Sequence, residues 1–189
     1  MFQILFIAVF FSKSVADQIE KREILILFSH PVKRTSILLA KFLTNMAVIL
    51  LIFAATTFTK GLLMGLGPFH PAHYTTLLAI LMQILFFSAI SLACSIFSKS
   101  AWVSIIIPII TFFALLFTFP QNSTYNYLSP ISGMQIIVQY LAAIFTPNQE
   151  SLLNLPTEQE FQGAVLFPIT VSIFLLMISF AYFRKMEVD

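Results

Sequence analysis

Charged residues are scarce in this sequence. Aspartate, glutamate, lysine and arginine together make up 10% of the 189 residues, whereas hydrophobic residues make up 59% and the mean hydropathy is +0.94. Soluble domains carry roughly 25% charged residues. The composition therefore excludes an ordinary soluble fold and predicts a membrane protein whose apolar surface faces lipid.

Cysteine and glycine are also scarce, and each shortage excludes a class of chemistry. Cys94 is the only cysteine, so no disulfide can form within the chain. None of the five glycines belongs to a Gly-x-x-x-x-Gly-Lys-Ser/Thr loop, which holds nucleotide phosphates in many ATPases. We therefore predict that the chain hydrolyses no nucleotide and has no catalytic residue, and we expect no cofactor and no nucleic-acid partner.

Long apolar stretches are abundant. Four of them have about 20 residues, the length that spans hydrocarbon as a helix, and lack ionised side chains apart from one lysine. They are residues 37–58, 77–97, 101–119 and 164–183. The lysine, Lys41, lies one turn inside its helix end, where we expect it to reach the headgroups. The sequence thus predicts an all-α fold, a polytopic transmembrane helix bundle with four full spans, in a single domain over residues 1–189.

The first residues form a shorter apolar stretch. A helix over residues 1–11 is only about 16 Å long, roughly half of a bilayer. We expect a partial span, the end of a longer helix that begins, or once began, upstream of Met1. A cleaved signal peptide is the alternative, because Ser14-Val15-Ala16 has the small-x-small pattern of a cleavage site. Against it, no Lys or Arg precedes the apolar run.

The basic residues indicate the orientation. Lys and Arg concentrate in the cytoplasmic loops of membrane proteins, and nine of the ten in this chain fall on one side if each full span crosses once. Residues 13–36, residues 98–100 and the C-terminus are then cytoplasmic, whereas residues 60–76 and 120–163 are outside. We expect a multi-pass protein of the plasma membrane.

A further apolar stretch, residues 128–146, does not fit a crossing helix. If it crossed, the basic C-terminus would move outside. Its Ser132, Gln135 and Gln139 are spaced i, i+3, i+7, which predicts a polar stripe on an otherwise apolar helix. We predict an interfacial or re-entrant helix on the outer face, with its apolar side against the bundle. A fifth full span is the alternative.

The spans offer few groups for chemistry. A carrier coupled to protons or sodium usually places an acid, histidine or arginine in mid-membrane, and the four spans contain none. Asn45 and Gln83 are candidates for binding a transported molecule, although such residues more often hold helices together. His70 and His73 have no Cys, Asp or Glu nearby in sequence, so we predict no metal site.

A charged segment, residues 17–41, connects the partial span to the first full span. It contains five consecutive apolar residues from Ile24 to Phe28, which end where Ser29-His30-Pro31 interrupts a helix. This pattern predicts a short amphipathic helix on the cytoplasmic surface, a sharp turn and re-entry into the membrane. An ordinary surface helix with basic anchors is the alternative.

This segment resembles the cytoplasmic loop of type 2 ABC exporter permeases, the ABC-2 family. That loop has an acidic-basic pair, a leucine-rich helix, a small residue two before a proline, then Val or Ile, an arginine, and a lysine at the next span. Arg22-Glu23 replaces the usual Gly-Thr, and Ala40 replaces a glycine. The matching positions are Glu20, Lys21, Ser29, Pro31, Val32, Arg34 and Lys41.

The resemblance extends over nearly the whole chain and implies the permease subunit of an ABC transporter, expected to be an exporter. Family members have six spans, so we expect the first span and half of the second to be missing from this sequence. The family implies a homodimer, or a heterodimer with a related permease, in contact with membrane lipid and with separate ABC ATPase subunits. The implied ATPase-coupling loop comprises Glu20, Lys21, Arg22, Glu23, Ile24, Leu27, Phe28, Pro31 and Arg34.

Two alternatives to a transporting subunit remain. A membrane-embedded enzyme of lipid or prenyl metabolism would need acids or histidines clustered at a membrane face. The only acid cluster, Asp17, Glu20 and Glu23, is interleaved with Lys21 and Arg22 and is better explained as a salt-bridged helix face. The other alternative is a truncated scaffold that transports nothing.

The charge asymmetry makes a testable prediction of topology. In intact cells, and in a chain freed of its native cysteine, single cysteines at Lys21, Lys99 and Arg184 should react with an impermeant maleimide only after permeabilisation. A cysteine at Gln149 should react from outside. Labelling of the Arg184 position in intact cells would mean that residues 128–146 cross the membrane.

Overall fold

A computed structural model describes residues 2–20, 34–119, 125–145 and 155–185. The described residues contain helices and no strand. Their contacts define two compact units: the first comprises Met1–Ile49, Ile84–Phe112 and Thr170–Asp189, and the second comprises Leu50–Gln83 and Phe113–Ile169. The single domain over residues 1–189 stays a prediction.

Nine helical elements follow one another in the described residues. They are α1 (Phe2–Phe11), a π-helical turn (Ser12–Ala16), α2 (Asp17–Glu20), α3 (Arg34–Leu63), α4 (Pro71–Ser98), α5 (Ala101–Thr118), a 3₁₀ turn (Asn126–Leu128), α6 (Pro130–Phe145) and α7 (Glu158–Lys185).

Four of these helices are long and apolar enough to cross a membrane, namely α3 from Thr35, α4, α5 and α7. They coincide with the four predicted spans, so the all-α polytopic bundle is confirmed. Of the 18 residues that form the most apolar stretch of each helix, 61% are buried in α4 but only 17–22% are buried in the other three helices. Helices α3, α5 and α7 leave large apolar side chains exposed, as lipid-facing spans do; examples are Leu51, Trp102 and Phe174.

The N-terminal helical segment is longer than the apolar run of residues 1–11. The helical backbone continues through the π turn into α2. Phe11, Val15 and Ile19 recur at i, i+4, i+8, and all three are buried, so one apolar face runs through the whole segment. Ser12 is also buried, and its hydroxyl donates to the carbonyl oxygen of Ala101 at 2.8 Å. Packing therefore extends the helix past the first charged residues.

Pro108 lies inside α5 and is buried. Proline has no amide hydrogen, so the carbonyl four residues earlier, that of Ser104, loses its helical donor. In hydrocarbon no water can replace that donor. The hydroxyl of Ser91 on α4 does so, with its oxygen 3.1 Å from the carbonyl oxygen of Ser104. A side chain of one span thus completes the backbone of its neighbour within the first unit.

In the second unit, α6 packs against α4 and α7. Ile136 and Ile137 of α6 form a buried cluster with Ala79 of α4 and Ala164 of α7. This confirms the prediction that the apolar side of α6 faces the other helices. With 16 residues, α6 is about 24 Å long. That it lies at the outer face without crossing the membrane stays a prediction.

The predicted polar stripe on α6 is wrong at one of its three positions. Gln135 and Gln139 are exposed as expected, whereas Ser132 is buried. The adjacent Gly133 explains the difference, because a Cβ at this glycine would lie only 2.8 Å from the carbonyl oxygen of Tyr127. This close backbone approach brings the first turn of α6 into the protein, and Ser132 with it.

The contact between Ser91 and Ser104 predicts non-additive substitutions. Ser91→Ala should lower the unfolding free energy by about 1–2 kcal/mol, since it leaves a buried carbonyl without a donor. Pro108→Ala restores the helical amide, so on that background the same change should cost roughly 0.5 kcal/mol or less. The measurement is a double-mutant cycle by unfolding in detergent micelles. Equal costs of Ser91→Ala on the two backgrounds would contradict this assignment.

Candidate functional site

The predicted ATPase-coupling loop lies mostly outside the described residues. Glu20 is the last residue of α2, and Arg34 is the first residue of α3. The structure therefore describes the two helix ends that the loop connects. The other predicted members fall outside it: Lys21, Arg22, Glu23, Ile24, Leu27, Phe28 and Pro31.

Lys41 joins these two helix ends. It lies two turns inside α3, and its ammonium group donates to the carbonyl oxygen of Ser14 at 3.2 Å and to Oε1 of Gln18. Hydrogen bonds from a charged donor are stronger than those between neutral groups. The sequence predicts that this lysine reaches the headgroups, whereas the structure gives it partners in the preceding helical segment. The helix that enters the loop and the helix that leaves it are thus bonded to each other.

Apolar packing accompanies this polar contact. Leu38 and Phe42 lie on the same face of α3 as Lys41, at helical spacing, and both are buried. The ring of Phe42 lies 5.7 Å from that of Phe11, centre to centre, at an angle of 56°. Such aromatic pairs add stability beyond the area that they bury. We call the contacts of Lys41, Phe42 and Phe11 with their partners the loop-base junction.

Asn45 lies one turn further along α3. It is 6% exposed, and its Nδ2 has no hydrogen-bond partner among the described residues. It lines a cavity of about 320 Å³ together with Ser14 and with Phe6, Val9 and Phe10 of α1. An amide in a largely apolar wall can hold helices together or contact a bound molecule. A role in cargo binding therefore stays a prediction.

Gln83 has a defined partner in the second unit. Its Nε2 donates to the carbonyl oxygen of Pro130, the first residue of α6, at 2.5 Å. The bond joins α4 to α6 and engages one of the two amide hydrogens of Gln83. Asn45 and Gln83 belong to different compact units, so neither unit contains a site built from both.

His70, directly before α4, and His73, in its first turn, have local partners. His73 is 2% exposed, its Nε2 lies 3.0 Å from the carbonyl oxygen of Gly67, and its ring stacks on Phe58 with centroids 4.8 Å apart. Nδ1 of His70 accepts the amide hydrogen of Ala72 at 3.2 Å. No group of three side chains that could hold a metal ion occurs in the part of the chain that the structure describes.

Sequence patterns could identify part of this site and not the rest. The loop motif includes Lys41, and its lysine is the residue that the structure finds bonded at the base of the loop. The partners of that lysine carried no signal, because Ser14 and Gln18 are ordinary polar residues. Their role follows only from the extension of the N-terminal helical segment past residue 11.

Comparison with known proteins assigns the chain to a family. The model of a family described as ABC-2 family transporter protein matches residues 1–188, which confirms the resemblance seen in the loop. Among curated proteins and among solved structures, nothing matches the chain. Permeases of this family are transport components rather than enzymes, and they normally work with an ATPase subunit. The chain therefore belongs to the ABC-2 family of transporter proteins, as a multi-pass membrane component of the permease type.

Proposed function

We propose that this chain is the membrane-spanning subunit of an exporter and that a separate ATPase drives it by contacting residues 20–34. The family membership supports a permease, and the loop motif supports an ATPase contact. The observation that carries the proposal is the bonding of Lys41, a residue of the motif, to the helical segment that precedes the loop. Movement of the loop would therefore act on both flanking helices together.

The helix after the loop is suited to transmit such movement. α3 continues for 30 residues from Arg34 to Leu63, a length of about 45 Å. The loop-base junction contacts the first turns of α3. A small displacement of the junction would therefore tilt the helix. ATP-driven closure of the ATPase subunits would in this way change the arrangement of the spans.

The polar groups of the spans support an external source of energy for transport. Several hydroxyls in these helices donate to backbone carbonyls; Ser91, Ser95 and Thr111 are examples. None of these groups changes its charge, which ion coupling requires. The predicted spans contain no acid, histidine or arginine that could do so. ATP hydrolysis by a partner is the energy source that remains within the family.

The proposed working unit contains two permease chains, either identical or related, and two ATPase subunits in the plasma membrane. Arg184 and Lys185 are exposed at the end of α7, and the positive-inside rule supports a cytoplasmic position for that end. The same rule supports a cytoplasmic position for the loop before α3, on the side where ATP is available.

Substitutions in the loop should distinguish residues that are buried against the ATPase from residues at the rim of that contact, because the two kinds should weaken the complex by different amounts. Phe28→Ala removes a large apolar group and should weaken the ATPase complex by about 2–4 kcal/mol. Glu23→Ala removes a rim charge and should cost roughly 1 kcal/mol or less. Co-purification of the ATPase and stimulation of its ATP turnover in liposomes measure both. If Phe28→Ala and Pro31→Ala both leave coupling intact, the loop is a membrane-surface anchor instead.

Substitution of Lys41 tests the role of the loop-base junction separately from the ATPase contact. Lys41→Met keeps the apolar stem but removes the donor, so the ATPase should still co-purify while the stimulation of its ATP turnover falls. Lys60→Met is the matched control, because Lys60 is exposed in the last turn of the same helix, and it should change neither quantity. Full stimulation in the Lys41→Met variant would show that the junction transmits no movement.

A further inference from the structure

An apolar cavity of about 400 Å³ lies in the first compact unit, between α4, α5 and α7. Its volume falls in the range of roughly 300–1,000 Å³ that is typical of small-molecule sites. It shares no lining residue with the loop-base junction or with the cavity beside Asn45. Its apolar walls come from one face of each helix: Ile90, Ala93 and Phe97 of α4, Val103 and Ile107 of α5, and Leu175 of α7.

The hydroxyl groups in this wall are engaged within their own helices. Ser98 donates to the carbonyl oxygen of Cys94 at 2.6 Å, and Thr111 donates to that of Ile107 at 2.9 Å. A buried water molecule needs two to four polar partners. The wall is therefore suited to hydrocarbon and poorly suited to water.

Two exposed lysines lie at or directly after the ends of helices that line the cavity. Lys99 is exposed and directly follows Ser98, which lines the wall. Tyr182 of α7 contacts Phe97 of the wall, with ring centroids 4.9 Å apart. Lys185 is exposed and lies three residues after Tyr182, on the same side of α7. Both cations thus lie where α4 and α7 end, beyond Phe97 and Ser98 of the cavity wall.

Arg184 provides a natural contrast to Lys185. It is equally exposed and adjacent in sequence, but it lies nine residues after Leu175, which is about 180° around a helix. Its charge is therefore at the same depth as that of Lys185, on the side of α7 away from the cavity.

We propose that this cavity binds one acyl chain of an anionic phospholipid, with Lys99 and Lys185 binding its phosphate. The apolar wall matches the chain, and the two cations match the charge of the headgroup. The cations lie at helix ends, the level at which headgroups meet a membrane protein, and basic pockets between membrane helices bind anionic lipids in this way. Tyr182, between wall and cations, is a residue type favoured at that level. The site depends on the spans lying in a membrane and not on coupling to an ATPase.

Photo-crosslinking of the full chain in nanodiscs tests the headgroup preference. The discs contain phosphatidylcholine and a small fraction of phosphatidylglycerol that carries a diazirine on its acyl chain, and a parallel sample carries photoreactive phosphatidylcholine. Phosphatidylglycerol should cross-link more strongly, to peptides of α4 and α5. Lys99→Gln and Lys185→Gln should each lower its yield about fivefold, and Arg184→Gln should leave it unchanged. Equal yields from the two lipids, or equal losses for Arg184→Gln and Lys185→Gln, overturn the proposal.

Cavity-filling variants test the acyl-chain part of the site. Cys94 of α4 and Val103 of α5 both line the cavity. Cys94→Phe and Val103→Phe therefore add volume from two different helices and should lower the cross-linking of both lipids, whereas Cys94→Ala should not. Size-exclusion elution identifies the variants that fold. Unchanged cross-linking in a folded filling variant overturns the proposal. So does displacement by excess glycerol phosphate, which would identify a free-phosphate site without a role for the chain.

Discussion

Inside the hydrocarbon layer every backbone amide and carbonyl must find its partner within the protein, because no water is available there. In the described spans this constraint accounts for what some of the polar side chains do. Ser91 supplies the donor that Pro108 removes from the carbonyl of Ser104. Ser95 in turn donates to the carbonyl oxygen of Ser91 at 2.7 Å. Small hydroxyl residues on α4 thus allow helices to pack closely and complete the hydrogen bonding of the bundle.

The same constraint places the chemistry of this protein at the ends of its helices. Charged side chains of the described spans are concentrated there: Lys41 at the base of the loop, Lys99 after α4, and Arg184 and Lys185 at the end of α7. The four apolar stretches predicted to span contain no acid, histidine or arginine, which agrees with the proposal that energy enters through these ends. At the loop-base junction a charged residue, Lys41, joins two helical segments, and the proposed movement of the loop would reach α3 there.

The architecture could be predicted from the sequence because length and hydropathy alone identify helices that must lie in lipid. The four spans follow from that physics, and the family resemblance follows from the spacing around Pro31 and Lys41. Tertiary contacts could not be predicted in this way. Even the nearby approach of the Gly133 backbone to Tyr127, which accompanies the inward position of Ser132, has no counterpart in the hydropathy pattern.

The candidate site shows the same division. Its loop is recognisable as a linear motif, whereas the partners of Lys41 and the cavity between α4, α5 and α7 depend on which helices meet.

Native mass spectrometry tests most directly whether the chain is a permease driven by a separate ATPase. Co-expressed with an ABC ATPase and released from membrane vesicles, the complex should contain two permease chains, at least one of them this 21.3 kDa chain, and two ATPase polypeptides. Recovery of the chain without the ATPase would contradict that assignment.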